Sequence, residues 1–422
     1  MTRSMPLPGP MSPAVLSLVA LLGAIVISFA SRINVGLVAI PLAWGVGVYA
    51  GRPADAIVGG FPTSLFVTLA GVTLLFALAE SNGTIAALSA RLASLAGGRP
   101  RLLPPLMFAA ACAVSTAGPG AIPAVALMAP LAFAMAPATS VPPFLTALMV
   151  ANGANAGNLS PLSAVGIIAN SRMEVAGLGG HEWKVWFANF FVHALVAGAA
   201  YLLLAGRIRS GSGERAPALA PLLRQQQLTA GVIAAWIVAV VAFEAPLALS
   251  AFAGAAIVII ARLAEERTAV LAMPWSAILM VCGVAMLVAT AERAGGMELF
   301  TSLLATLATP STVNGVIAFV TGAISSASST SGVVLPTFLP TSPALVERVG
   351  AGDPLAVALS INVGSSLVDV SPLSTIGAIC VAAMSNAAAA RDLFRRMLLW
   401  GLSMILVGAL LCQLLAGWFA RL

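Results

Sequence analysis

The tetrapeptide Ser160-Pro161-Leu162-Ser163 returns 211 residues later as Ser371-Pro372-Leu373-Ser374, and each copy is followed by a glycine at the same distance, Gly166 and Gly377. Pro62, Gly71 and Glu80 recur 212 residues on as Pro274, Gly283 and Glu292, and each glutamate is followed by a glycine, Gly83 or Gly295. Between these, the Ser/Thr-rich stretch from Ser115 to Pro123 matches the one from Ser328 to Pro336. A near-constant offset carried by three separate segments means that the chain is two copies of one module. Whatever one half folds into, the other has to fold into as well.

The solvent of that module follows from its charge. Of 422 residues, 60% are apolar and 8% charged, against roughly a quarter charged in a soluble domain. A water-facing surface needs roughly 25–35% charged residues, so a cytosolic enzyme is excluded and a lipid bilayer is the expected surround. The net charge of +6 sits in short loops, where it marks membrane topology rather than a nucleic-acid surface. Cys112, Cys282, Cys380 and Cys412 have neither ligand nor framework spacing, and are expected to pack as small apolar groups.

Apolar runs long enough to cross a bilayer, about 20 residues each, are predicted near 14–31, 34–50, 62–80, 141–170 and 183–206, and again near 227–243, 246–263, 274–292, 353–386 and 393–420. The first run is not a signal peptide, because 227–243 stands at its place in the second half. The predicted fold is therefore an all-α integral membrane protein with about ten transmembrane helices. Its first repeat covers 14–206, a cytoplasmic linker 207–226, and its second repeat 227–420. Five crossings per copy is an odd number, so the two copies enter the membrane from opposite sides as inverted repeats. Loop arginines place most basic residues inside when both termini lie outside, as the positive-inside rule requires. Arg172 counts in this scheme as an outside loop residue.

Each half also carries two interruptions. Ser115-Thr116-Ala117-Gly118-Pro119-Gly120 divides an apolar run into arms of about 20 Å at 1.5 Å per residue. Arms that short predict a re-entrant hairpin with its tip in mid-membrane, and the second tip falls at 325–332. The fourth crossing of each half is broken as well, at Asn152, Asn155, Asn158 and Ser160-Pro161, and at Asn362, Ser365 and Asp369 before Ser371-Pro372. Gly, Asn and Pro interrupt helices. Ser160 and Ser371 are expected to cap half-helices whose N-termini attract anions. Non-helical backbone at this depth belongs where it faces protein or a wet cavity.

At these paired Ser-Pro-Leu-Ser segments, each preceded by a Ser/Thr-rich tip, the chain resembles the ion transporter superfamily. Within it the chain is most similar to malonate and C4-dicarboxylate carriers of the MatC type, and more distantly to the divalent anion/sodium symporters. The resemblance implies a scaffold from the early helices of each half, a mobile transport domain from hairpins and broken helices, elevator motion, and a homodimer in the inner membrane. It implies substrate contacts from Ser115, Thr116, Asn152, Asn155, Asn158, Ser160, Ser163, Ser328, Ser329, Thr330, Asn362, Ser371 and Ser374. The symporters carry Ser-Asn-Thr at each tip, whereas here the motif asparagines are replaced by Thr116 and Ser329.

One residue breaks the repeat in a telling way: Asp369 stands where the first half has Asn158. A mid-membrane carboxylate marks a cation or proton path, so Asp369, with Ser115, Asn158, Ser328 and Ser365, is the expected coupling-ion site. Sodium ions suit such hard oxygen ligands; no other cofactor is expected. His193 is expected to serve packing, and Glu80 and Glu292 to lie at the interface. The expectation is a secondary carrier of small organic anions, C3 or C4 dicarboxylates, coupled to sodium or protons. A sodium/proton antiporter or oxyanion efflux carrier of the same superfamily is the alternative. An intramembrane enzyme would need a nucleophile and base at depth, and no such pair is in the breaks.

Overall fold

The computed structural model describes residues 11–30, 33–94, 99, 101–139, 141–208, 221–243, 245–273, 275–326, 329–384 and 387–422. Among these the regular structure is helical throughout. The first half runs α1 (Pro13–Ala30), α2 (Val35–Tyr49), α3 (Ala54–Val58), α4 (Thr63–Ser81), α5 (Thr84–Ser94), α6 (Leu103–Thr116), α7 (Ala121–Thr139), α8 (Pro143–Gly157), α9 (Ala164–Val175) and α10 (Glu182–Leu204). The second half follows with α11 (Arg224–Phe243), α12 (Leu247–Ile260), α13 (Glu266–Ala272), α14 (Trp275–Arg293), α15 (Gly296–Ala305), α16 (Val313–Ser325), α17 (Leu335–Phe338), α18 (Ser342–Val349), α19 (Pro354–Leu367), α20 (Thr375–Ala382) and α21 (Ala387–Arg421). The repeated glycines have a local cause. Gly83 and Gly295 adopt φ +76° and +85° in the turns that end α4 and α14, a left-handed conformation that glycine takes without steric cost.

The early helices pack most closely on those of the other half. Helix α14 lies on α2, and α4 lies on α12. Asn34 caps α2 by accepting from the Gly36 N–H at 3.0 Å, and its amide donates to the Ser276 carbonyl at 2.8 Å. At this crossing the helices touch backbone to backbone, and a Cβ on Gly283 would stand 2.1 Å from the Gly36 carbonyl oxygen. Likewise α1 packs on α15, and α11 on α5; a Cβ on Gly296 would meet the Ser17 hydroxyl. Asn82, at the end of α4, donates to Thr229 of α11 at 2.8 Å. Small residues at helix crossings allow this close approach in membrane bundles.

The later helices pack within their half and then against each other. Helices α6, α7 and α10 surround α8, while α16 and α21 surround α19. The halves then meet where α7 and α8 touch α20, α10 touches α19, and the 368–370 turn touches α8. Both hairpin tips press on the early helices. Gly118 lies under the ring of Phe76 on α4, and Gly332 under Met280 on α14. Phe76 is held in turn by an edge-on contact with Trp236, centroids 5.8 Å apart.

Several predicted boundaries shift. Only three described helices are long and apolar enough to cross a bilayer by length, Glu182–Leu204, Pro354–Ala382 and Ala388–Arg421. Other predicted crossings are shorter: α2 and α12 have 15 and 14 residues, or about 22 Å of helix. Large apolar side chains nonetheless face outward, with Ile260, Leu202 and Leu414 at 81%, 79% and 66% exposure. The descending arm of the second hairpin is no single helix. Pro336, Pro340 and Pro343 divide it into a π-helical turn at Thr330–Val334, α17, a 3-10 turn and α18, because each proline removes a helix donor. Most of the expected linker, 209–220, lies outside the described residues, and α11 starts at Arg224 rather than 227.

Candidate functional site

The two broken segments repeat one piece of local chemistry. After α8 the chain makes a tight turn in which the Ser163 N–H donates to the Ser160 carbonyl at 3.0 Å. The Ser163 hydroxyl donates to the Asn158 carbonyl, and its oxygen accepts from the Gly166 N–H at 3.1 Å. In the second half the Ser374 hydroxyl donates in the same way to the Asp369 carbonyl. The N-cap positions are therefore Ser163, whose side chain caps the helix, and Ser374, whose side chain makes no cap bond, not Ser160 and Ser371 as expected, because Pro161 and Pro372 sit in the extra turn before the helix. The recurring glycine is explained as well. A Cβ on Gly166 would lie 1.8 Å from the Ser160 carbonyl oxygen, and one on Gly377 2.2 Å from that of Ser371.

The first break closes on the first hairpin. Asn158 accepts from the Ala121 N–H at 2.9 Å, and Ser160 donates to the Thr116 carbonyl at 2.8 Å. One side chain thus covers the free start of α7 and the other the free end of α6, groups that hydrocarbon would leave unpaired. Asn158→Ala is expected to cost about 1–3 kcal/mol, the penalty of stranding a buried N–H. A lower melting temperature of the purified protein in detergent would show it.

The second break closes on the second hairpin through the hydroxyl of Thr330. Thr330, at the start of the descending arm, donates to the Asp369 carboxylate, with both oxygens at 2.9 Å. Its hydroxyl also meets that of Ser325 at the end of α16. Thr330 has one hydroxyl hydrogen and gives it to Asp369, so Ser325 donates to Thr330. The result is a relay Ser325, Thr330, Asp369, with the Ser365 carbonyl 3.5 Å from Thr330. Asp369 is 8% exposed and has no cationic partner among the described residues.

The remaining candidates divide by location. Asn362 is buried and donates to the Met173 sulfur of α9 at 3.5 Å, which ties the two breaks together. Ser365 and Ser371 are buried, Ser365 bonding back to the Ile361 carbonyl at 2.6 Å. Ser329 caps Gly332, Ser328 lies outside the described residues, and the buried Ser115 hydroxyl has no partner. Asn152 faces α10 instead, while the side-chain amide of Asn155 is buried without a partner among the described residues. Asn152 meets His193 Nδ1 at 3.1 Å, whereas the buried Nε2 of this histidine, expected to be satisfied, has no partner among the described residues. Asn189 donates to the Asn155 carbonyl at 2.6 Å and thereby caps the end of α8. Sequence reasoning passed over Asn189, and it placed Ser325 in the second tip without a role at the site. A buried polar residue on α10 facing the break would have been the signal.

Arg172 is a correction. It is no loop residue: α9 continues past 170 to Val175 and stops at Gly177, φ +74°, leaving Arg172 buried at 8% exposure. The polar trio Asn170-Ser171-Arg172 imitates a helix end in the sequence, but no glycine or proline interrupts it.

Residues 11–158 match the family model for the N-terminus of the dicarboxylate carrier protein MatC. This stretch is MatC-like. No curated protein matches the chain. Among solved structures, the YdaH transporter of Alcanivorax borkumensis, whose crystal structure is described as revealing an unusual topology, is similar with a TM-score of 0.59 at 16% identity, covering 95% of this chain and 98% of that one. At that identity the likeness is one of fold. Both comparisons point to membrane transport proteins, one through a dicarboxylate carrier model over the first part of the chain and the other through a transporter fold over nearly all of it. The family match reaches 158, so it takes in the first hairpin and Asn158, while Asp369 and the second hairpin lie beyond it.

Proposed function

We propose that this MatC-like protein is a secondary carrier of small organic anions, C3 or C4 dicarboxylates such as malonate, succinate and malate, driven by a sodium or proton gradient. The observation that carries the reading is Asp369. It is a buried carboxylate at the second break, bonded among the described residues to the Thr330 hydroxyl and lying where the two broken segments approach each other. Its oxygens, with Thr330, Ser325 and the Ser365 carbonyl, are hard ligands suited to sodium, and the carboxylate alone suits a proton. The chain then comprises two inverted repeats with about ten crossings, in which hairpins and broken helices move against the swapped early helices as an elevator in a homodimer. It sits in the inner membrane with both termini outside. Substrate contacts come from the tips and breaks, from Ser115 and Thr116 to Asn362 and Ser371, and the coupling site from Asp369 with Asn158 and Ser365.

The test is uptake into proteoliposomes of labelled malonate, succinate and malate, with sodium and proton gradients imposed separately. Accumulation of at least one, driven by one gradient, is the expected result. Failure with every organic anion alongside gradient-driven sodium movement would instead make the protein an antiporter.

A further inference from the structure

Arg172 takes no part in the Asp369 cluster. It lies in the last turn of α9 with its guanidinium buried, and its only side-chain bond is from Nη2 to the neighbouring Ser171 hydroxyl at 3.3 Å. Among the described residues its buried Nε–H has no acceptor. Among the described residues the ion pairs are Arg348–Glu298 and Arg396–Asp392, and neither involves it. A buried charge without a counter-ion costs several kcal/mol, whereas the α9 C-terminus returns about 0.3–1 kcal/mol through its dipole. The deficit calls for an anion.

The surroundings of α9 say which kind. The helix packs against α4 and against the descending arm of the second hairpin, at 330–334, α17 and 339–341. On that arm the buried hydroxyls of Thr337 and Ser342 also lack partners. Met173, the next residue, receives the Asn362 amide. Arg172 therefore sits on the seam between the early helices and both breaks. The groups whose negative charge acts on it are Cys282 and Glu292 of α14, and neither is hydrogen-bonded to it. Beyond Glu292 on α14, Arg293 lines an open cavity of about 280 Å³ together with Arg52. The repeat argues against a bracing role, since the matching residue of the second half is Ala383.

We infer that Arg172 is the fixed positive charge that receives one carboxylate of the transported anion. A guanidinium fork matches a carboxylate in bidentate geometry, and the free hydroxyl of Thr337, on the α17 segment that packs against α9, is a donor of the right kind. This rests on the organic-anion reading above and adds to it a residue that selects for charge. It also gives the two halves opposite single charges, a carboxylate for the coupling cation in one and a guanidinium for the cargo anion in the other.

The test is calorimetric binding to the full-length protein in detergent, comparing malonate with its half-amide, malonamate, which has one carboxylate fewer. The wild type is expected to favour malonate. Arg172→Gln is expected to lose about 30-fold or more in malonate affinity while malonamate changes less than threefold, so the preference collapses; Arg172→Lys, which keeps the charge but not the fork, falls between. Glu292→Gln is expected to leave malonate affinity unchanged. If Arg172→Gln weakens both ligands equally, or neither, or if Glu292→Gln reproduces its effect, the inference is overturned while the carrier reading stands. Should the wild type bind none of malonate, succinate and malate, both fall together. If Arg172→Gln does not purify as a single species, the malonate-to-malonamate ratio of Arg172→Lys decides on its own: an unchanged ratio overturns the inference.

Discussion

Asp369→Asn is expected to abolish gradient-driven accumulation of substrate, by about 100-fold, in a protein that still folds. The amide oxygen can accept from Thr330 as the carboxylate does at 2.9 Å, and the first half already places an asparagine, Asn158, at the matching position. What disappears is the charge. Loss of a buried contact to a charged group is worth about 3 kcal/mol, or roughly two factors of ten in affinity for the coupling cation. Asp369→Ala is expected to do the same and also to lower stability, because Thr330 then keeps a buried hydroxyl without its acceptor. The measurement is initial uptake into proteoliposomes under an imposed sodium or proton gradient, set against exchange at equal concentrations with no gradient. Accumulation should vanish in Asp369→Asn while exchange persists. If both persist and keep their dependence on the gradient, the coupling ion binds elsewhere.

The largest loss of stability is expected from Gly283→Leu. A Cβ there would stand 2.1 Å from the Gly36 carbonyl oxygen and 2.8 Å from its Cα, and Gly36 itself lies against the Met280 backbone. Backbone cannot rotate aside as a side chain can, so α2 and α14 must separate and give up the packing along their length. Overpacking of this kind costs about 3 kcal/mol or more, enough to replace the monodisperse peak in detergent with aggregate. Gly45→Ala on the same α2 is the control: no atom lies within 4 Å of the added methyl group, and the substitution should be neutral or stabilise by up to about 1 kcal/mol. A well-behaved Gly283→Leu would mean that this crossing is looser than backbone contact.

Most of the site's skeleton was legible in the sequence. The hairpins, the breaks and the isolated carboxylate all show as departures from apolar helix, and lipid makes such departures conspicuous. Ser163 and Gly166 repeated because one turn needs both, and that much can be read from spacing. The partner of each break was not legible. Nothing in the order of residues says that Asn158 covers the Ala121 N–H, or that Asn189 caps α8 from another helix, since a hydrogen bond across dozens of residues leaves no period. Arg172 was missed for a different reason: three polar residues in a row look like a loop when burial is unknown. The packing of α2 on α14 was equally hidden, because glycine marks close approach without naming what approaches.

That packing decides what half of this chain could be. Helices α1 and α2 seat on α15 and α14, while α11 and α12 seat on α5 and α4, so cutting the polypeptide midway leaves two pieces, each exposing the grooves meant for the other. A solitary half has no closed surface of its own and would have to find a second molecule to become stable. Joining the halves in one chain turns that search between molecules into a local event at high effective concentration. It also makes correct insertion of the late helices a condition for the early ones to find their seats.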